Sequence, residues 1–138
     1  MERPLIYADA SAIMRLVDGD EPARQRVEFI IRQHGGLVVT SVLSMIECRS
    51  KPLRDGDLAR VALYDAFFGS RDLTLFPVDQ AVAEQATRVR ARYNLKTPDA
   101  IHIATATLHV ASLVVTTDHD FARCKDLPGM MIEVVAMS

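Results

Sequence analysis

Leu5-Ile6-Tyr7-Ala8-Asp9 is an apolar run without polar alternation, closed by an acid. A strand that faces water on one side alternates polar and apolar residues, so an unbroken run of this length reads as a strand covered on both faces. The pattern returns along the chain. Leu37-Val38-Val39-Thr40 follows the breaker Gly35-Gly36, and Leu113-Val114-Val115-Thr116 is closely followed by a second acid, Asp118. Leu73-Thr74-Leu75-Phe76, stopped by Pro77, is a further strand. Ile132-Glu133-Val134-Val135 is the fifth, and its single charge suits a sheet edge.

Longer stretches with helical patterning separate these runs. They are Glu21 to Gln33; Val42 to Lys51, with Ser41 as N-cap; Asp57 to Phe68, capped by its own Asp57; Gln80 to Tyr93, capped by Asp79; and Pro98 to Val110. Strands alternating with helices predict an α/β fold, a parallel sheet with helices on both faces. No repeat, low-complexity tract or linker interrupts the pattern, and 138 residues suit a single domain spanning 1–138.

Composition narrows the class. Hydrophobic residues make up 49% of the chain and charged residues 25%, which supports a packed core rather than disorder. No apolar run approaches the roughly 20 residues needed to span a bilayer. The apolar run after Met1-Glu2-Arg3-Pro4 is too short for a signal peptide, so no membrane association and a cytoplasmic location are expected. Cys48 and Cys124 sit in no metal-binding spacing and are expected to be free thiols. The net charge of −2 excludes a protein that holds nucleic acid mainly by bulk positive charge.

The chemistry is suggested by where acids fall. Ligands of an open parallel sheet bind at the carboxyl ends of its strands, where the strand order reverses. Asp9 directly follows the first strand and Asp118 closely follows the fourth. Thr97-Pro98-Asp99 reads as a helix start, with Thr97 as N-cap, Pro98 first and Asp99 second. That helix leads into the fourth strand and runs antiparallel to it, which brings Asp99 to the same edge. Glu47, in the second turn of its helix, reaches the edge only if its long side chain leans back toward the helix N-terminus. Carboxylates gathered this closely repel one another unless protons or a cation intervene. An all-oxygen set without Cys or His suits Mg²⁺ or Mn²⁺. Read singly, each acid is also a plausible helix cap or solvated side chain.

Four segments resemble the PIN-domain family, and VapC-type toxin ribonucleases within it. Leu5 to Ala12 is similar to the opening strand and its Asp-x-Ser/Thr turn. Ser41 to Glu47, continuing through Cys48-Arg49, resembles the Ser-x-x-x-x-x-Glu helix. Lys96-Thr97-Pro98-Asp99-Ala100-Ile101-His102-Ile103-Ala104-Thr105-Ala106 is the most specific match. Val115-Thr116-Thr117-Asp118-His119-Asp120-Phe121 resembles the Thr-x-Asp-x-Asp-Phe ending. The segments stand in family order and span nearly the whole chain.

The resemblance implies a PIN-like three-layer fold with a five-stranded parallel sheet in the order 3-2-1-4-5. It also implies hydrolysis of RNA phosphodiesters with Mg²⁺ or Mn²⁺. Asp9, Glu47, Asp99 and Asp118 stand at the family's catalytic and metal-binding acids; Ser11 and Thr116 match supporting hydroxyls, and Asp120 matches a secondary acid. Ala10 departs from the pattern, standing where Thr is common. A homodimer and a cognate antitoxin that covers the site are implied as well.

Other side chains admit two readings each. Arg15, Arg49, Lys51 and Lys96 are candidates for contacting RNA, although Arg49 equally suits an internal ion pair. His102, one turn after Asp99 on the same face, suits a buried helix histidine or contact with substrate or metal-bound water. Val61, Tyr64 and Phe68 form a helical stripe that suits core or a groove for an antitoxin helix. An aspartyl-phosphate enzyme would want Asp at position 11, where Ser11 stands, and a receiver-type module has no place for the Lys-Thr-Pro-Asp helix start. An RNA-processing nuclease outside toxin pairs, or a silent RNA- or partner-binding module, fits the same residues.

Overall fold

Every strand run expected from the sequence forms a strand in the computed structural model, which describes residues 3–137. In chain order the elements are β1 (Leu5–Ala8), α1 (Ala10–Asp18), α2 (Glu21–His34), β2 (Leu37–Ser41), α3 (Val42–Arg54), α4 (Leu58–Phe68), β3 (Thr74–Phe76), α5 (Gln80–Tyr93), α6 (Thr97–Leu108), β4 (Leu113–Thr116), a 3₁₀ helix (His119–Cys124) and β5 (Met131–Val134). All neighbouring strands pair in parallel, in the order β3-β2-β1-β4-β5. β1 holds the centre, with Ile6 opposite Val38 on one side and Leu113 on the other. β5 lies at an edge, as its Glu133 suggests.

The layers follow from the handedness of the connections. Parallel crossovers are right-handed, so connections that step one way along a sheet put their helices on one face, and those that step back use the other. The chain steps from β1 to β2 to β3, and α1, α2, α3 and α4 pack on one face around Ile6, Ala8, Ile13, Val27, Cys48, Tyr64 and Phe68. It then crosses to β4 and β5, and α5, α6 and the 3₁₀ helix cover the other face around Tyr7, Val82, Val89, Ile103 and Phe121. Consecutive residues of β1 thus serve opposite layers, and all four residues of β4 are buried. Tyr64 and Phe68 belong to this core, while Leu58 and Leu63 on α4 stay exposed. Both cysteines are free and buried.

Three of the differences from expectation have a clear physical cause. α1 has no counterpart among the helices read from sequence; it is short, nine residues, and its start is hidden in Asp9, whose side chain accepts from the Ala12 N–H as an N-cap. α3 runs past Lys51 to Arg54 with Pro52 inside it, so the Cys48 carbonyl loses its helical partner but the turn continues. α6 begins at Thr97 rather than Pro98, because the Ala100 N–H bonds the Lys96 carbonyl at 2.9 Å. Lys96 is therefore the cap, without a side-chain bond, and Asp99 is the third helical residue rather than the second.

Two backbone positions carry special demands. Gly36 lets β2 approach the N-terminal strand: a Cβ there would collide with the Pro4 carbonyl. Val110 closes α6 in a Schellman turn, with the Ala111 N–H bonded to the Ala106 carbonyl at 2.9 Å, and takes φ of 58° where glycine is usual. Its side chain is 81% exposed, so packing offsets little of the strain. Val110→Gly is expected to stabilise the fold by about 1 kcal/mol, a rise of roughly 3 °C in Tm, checked by thermal unfolding.

Candidate active site

The connections that leave β1 and β4 go to opposite faces of the sheet, so a crevice opens at the carboxyl ends of these two neighbouring strands. Asp9 lies at its floor, 4% exposed. Its Oδ1 accepts from Ser11 Oγ at 2.7 Å and from the Ala12 N–H at 3.0 Å, and its Oδ2 accepts from Thr116 Oγ1 at 2.7 Å. A carboxylate taken out of water needs such donors. Burial still pushes its pKa above the ordinary carboxylate range, against the His102 ring and these hydrogen bonds.

The two hydroxyls tie the strand ends together. Thr116 Oγ1 accepts from the Asp118 N–H at 3.0 Å and lies 3.2 Å from Ser11 Oγ, which accepts from the Thr117 N–H at 2.9 Å. The turn after β4 is thereby fixed on the start of α1. Asp118 caps the 3₁₀ helix by accepting from the Asp120 N–H at 2.9 Å.

Above this floor, one carboxylate oxygen each of Asp99, Asp118 and Asp120 lies within 4.8 Å of the other two. Asp99 comes from the first turn of α6, where the helix dipole favours an anion. Its pKa is nevertheless pushed up to about 6, first by burial and then by the charge of Asp118, with Asp9 and Glu47 adding to the effect and His102 opposing it. All four acids expected from the sequence therefore act within one electrostatic field. Asp120, expected to be secondary, stands in the same oxygen cluster as Asp99 and Asp118. Arg123, which the sequence reading does not single out, bonds Asp120 at 3.3 Å and the Asn94 carbonyl at 2.9 Å. Its position three residues after Asp120 is the signal that would have found it. The donor set is all oxygen, which fits a hard divalent cation such as Mg²⁺ or Mn²⁺.

Glu47 joins by another route. Its Oε1 lies 2.6 Å from Nε2 of His102, whose Nδ1 lies 2.6 Å from the Tyr7 hydroxyl. His102 is thus both a buried helix histidine and a neighbour of the acids. Tyr7 stands two residues before Asp9, and the strand period of two places it on the same face of the sheet.

The basic candidates divide. Arg15 and Lys51 line a cavity of about 210 Å³ together with Glu47 and Arg60, and Arg15 Nε is buried there without a hydrogen-bond partner among the described residues. Lys51 also bonds Asp55 at 2.8 Å. Arg49 takes the ion-pair reading, 3.0 Å from Asp65. Lys96 is exposed at the start of α6, three residues from Asp99.

The sequence model of the PIN domain matches residues 6–127. The chain belongs to the PIN domain family. Solved PIN-fold structures superpose over most of its length. A toxin-antitoxin complex from Klebsiella pneumoniae aligns with a TM-score of 0.69 at 23% identity, over 96% of this chain and 99% of that one. VapBC2 from Rickettsia felis, bound to a promoter DNA fragment, gives 0.71 at 11% identity over 95% and 98%. VapC20 from Mycobacterium tuberculosis, a Sarcin-Ricin loop cleaving toxin, gives 0.71 at 18% identity over 85% and 92%. Identities this low establish a shared fold. None of the curated proteins matches the sequence.

The burial of Asp99, with the charge of Asp118 beside it, has a measurable consequence in the metal-free PIN domain. The Asp99 pKa is raised from 3.8 to about 6 by folding, so the group's ionised form weighs against the folded state. That penalty is absent at low pH, grows as pH rises from 3.8 through about 6, and is level above. Asp99→Asn is expected to raise Tm of the metal-free protein, by an amount that grows between about pH 4 and pH 7 and then stays constant. Thermal unfolding of both proteins across that range checks it.

Proposed function

We propose that this PIN domain is a metal-dependent endoribonuclease and the toxin of a VapC-type toxin–antitoxin pair. The observation that carries this reading is the oxygen cluster of Asp99, Asp118 and Asp120 at the sheet's switch point, with the buried Asp9 beneath it. Asp99, Asp118 and Asp120 would hold Mg²⁺ or Mn²⁺, Asp9 supplies charge from below, and Ser11 and Thr116 fix the geometry. The chemistry that a divalent cation brings to such oxygens is polarisation of a phosphodiester and activation of water at neutral pH. Glu47 has one oxygen held by His102 and offers the other to water or to the cation. A cation held there, with Lys96 at the start of the helix that carries Asp99, would supply the attraction for RNA phosphates that the net charge of −2 does not.

The toxin assignment draws on the neighbours: one is a toxin-antitoxin complex, and another is named for cleavage of the Sarcin-Ricin loop. An antitoxin is a partner that the exposed apolar side chains Leu53, Leu58 and Leu63 on α3 and α4 could meet. No helix of the described residues is long and apolar enough to cross a membrane. A homodimer acting in the cytoplasm completes the reading.

The test is incubation of chelator-treated protein with total RNA, before and after addition of Mg²⁺ or Mn²⁺. Discrete cleavage should appear only with metal and fall by at least about 100-fold in Asp9→Asn and Asp99→Asn. The same ions should raise Tm of the wild type at pH 7.5 and leave Asp99→Asn nearly unmoved. Cleavage that persists in both variants would reject the site.

A further inference from the structure

Tyr7, His102 and Glu47 form a chain of two hydrogen bonds, each 2.6 Å long, that runs from the interior of the sheet to the acidic crevice. We propose that His102, held in place by Tyr7, is a positioning residue that aims Glu47 at the acid cluster. The inference rests on the nuclease reading of that cluster and adds a residue to it.

Burial keeps the Tyr7 phenol protonated and sets it against one edge of the His102 ring, 2.6 Å from Nδ1. Nε2 on the other edge stands 2.6 Å from Glu47 Oε1, and a ring N–H there donates to the carboxylate. Both ring nitrogens are thus satisfied although His102 is 2% exposed, and the apolar core around it asks for no imidazole of its own.

Glu47 needs such a hold. It is 30% exposed, rises from the second turn of α3, and has three rotatable bonds to fix. On its other flank it lines the cavity that also holds Arg15, Lys51 and Arg60. A buried ring held by packing orients the carboxylate more tightly than a flexible lysine in the same place would. His102 lies one turn beyond Asp99 on α6, so the helix that presents Asp99 also sets the reach of Glu47.

The experiment joins a spectrum to kinetics. Long-range ¹H–¹⁵N correlation of the histidine rings at pH 7.5 should show a proton on Nε2 of His102 in the wild type. An Nε2 without a proton overturns the proposal. In metal-activated RNA cleavage, His102→Leu should lower kcat by about 10- to 100-fold with KM for RNA unchanged within about twofold. His102→Gln, whose amide nitrogen can reach Glu47, should recover at least about tenfold of that loss. The double variant His102→Leu with Glu47→Gln should be no slower than Glu47→Gln alone, since a positioning residue has nothing left to position. Fully additive losses, or no rescue by glutamine while circular dichroism and Tm match the wild type, overturn it. Wild-type protein that cleaves no RNA rejects the nuclease reading instead, and the ring spectrum still decides the hydrogen-bond chain.

Discussion

The hydrogen bond from Thr116 to Asp9, 2.7 Å long, joins the ends of two strands that lie more than a hundred residues apart in sequence. Everything at the crevice depends on it. Thr116 fixes the backbone of Asp118, and Asp118 in turn fixes that of Asp120. Ser11 closes the loop from the other side by bonding both Asp9 and the Thr117 N–H. A buried carboxylate is costly to leave unpartnered, so Asp9 forces these donors to converge, and their convergence sets where the outer acids stand.

The outer acids live with a different constraint. Asp99, Asp118 and Asp120 stand close together, and the raised pKa of Asp99 records first its burial and then repulsion from Asp118. Arg123 relieves it only at Asp120. A domain that keeps such repulsion in its resting state gives up stability for a site ready to take a cation.

What the sequence made legible was local in character. β1, β2 and β4 announced themselves by apolar runs that needed no knowledge of their neighbours, and Asp9 and Asp118 were found because they end two of those runs. The sheet order came from the family resemblance rather than from periodicity. α1 stayed hidden because one residue, Asp9, serves both as site acid and as helix cap. Asp120 was legible only as a secondary acid, through the resemblance, and the Tyr7–His102–Glu47 chain was not readable, because it depends on how separate segments close in space. Arg49 shows the limit most plainly: the same guanidinium suited RNA or an ion pair until Asp65 stood 3.0 Å away.

The central place of β1 has a consequence for the chain while it is being made. Its partner on one side, β2, follows within some thirty residues, but its other partner, β4, begins only at Leu113. Until that strand has left the ribosome, Asp9 lacks its Thr116 donor, and neither Asp118 nor Asp120 exists near it. Synthesis proceeds at about 5–20 residues per second, so a nascent chain spends seconds with half a sheet and no assembled crevice. The acidic site thus stays unassembled until the segment that carries Thr116, Asp118 and Asp120 has been made.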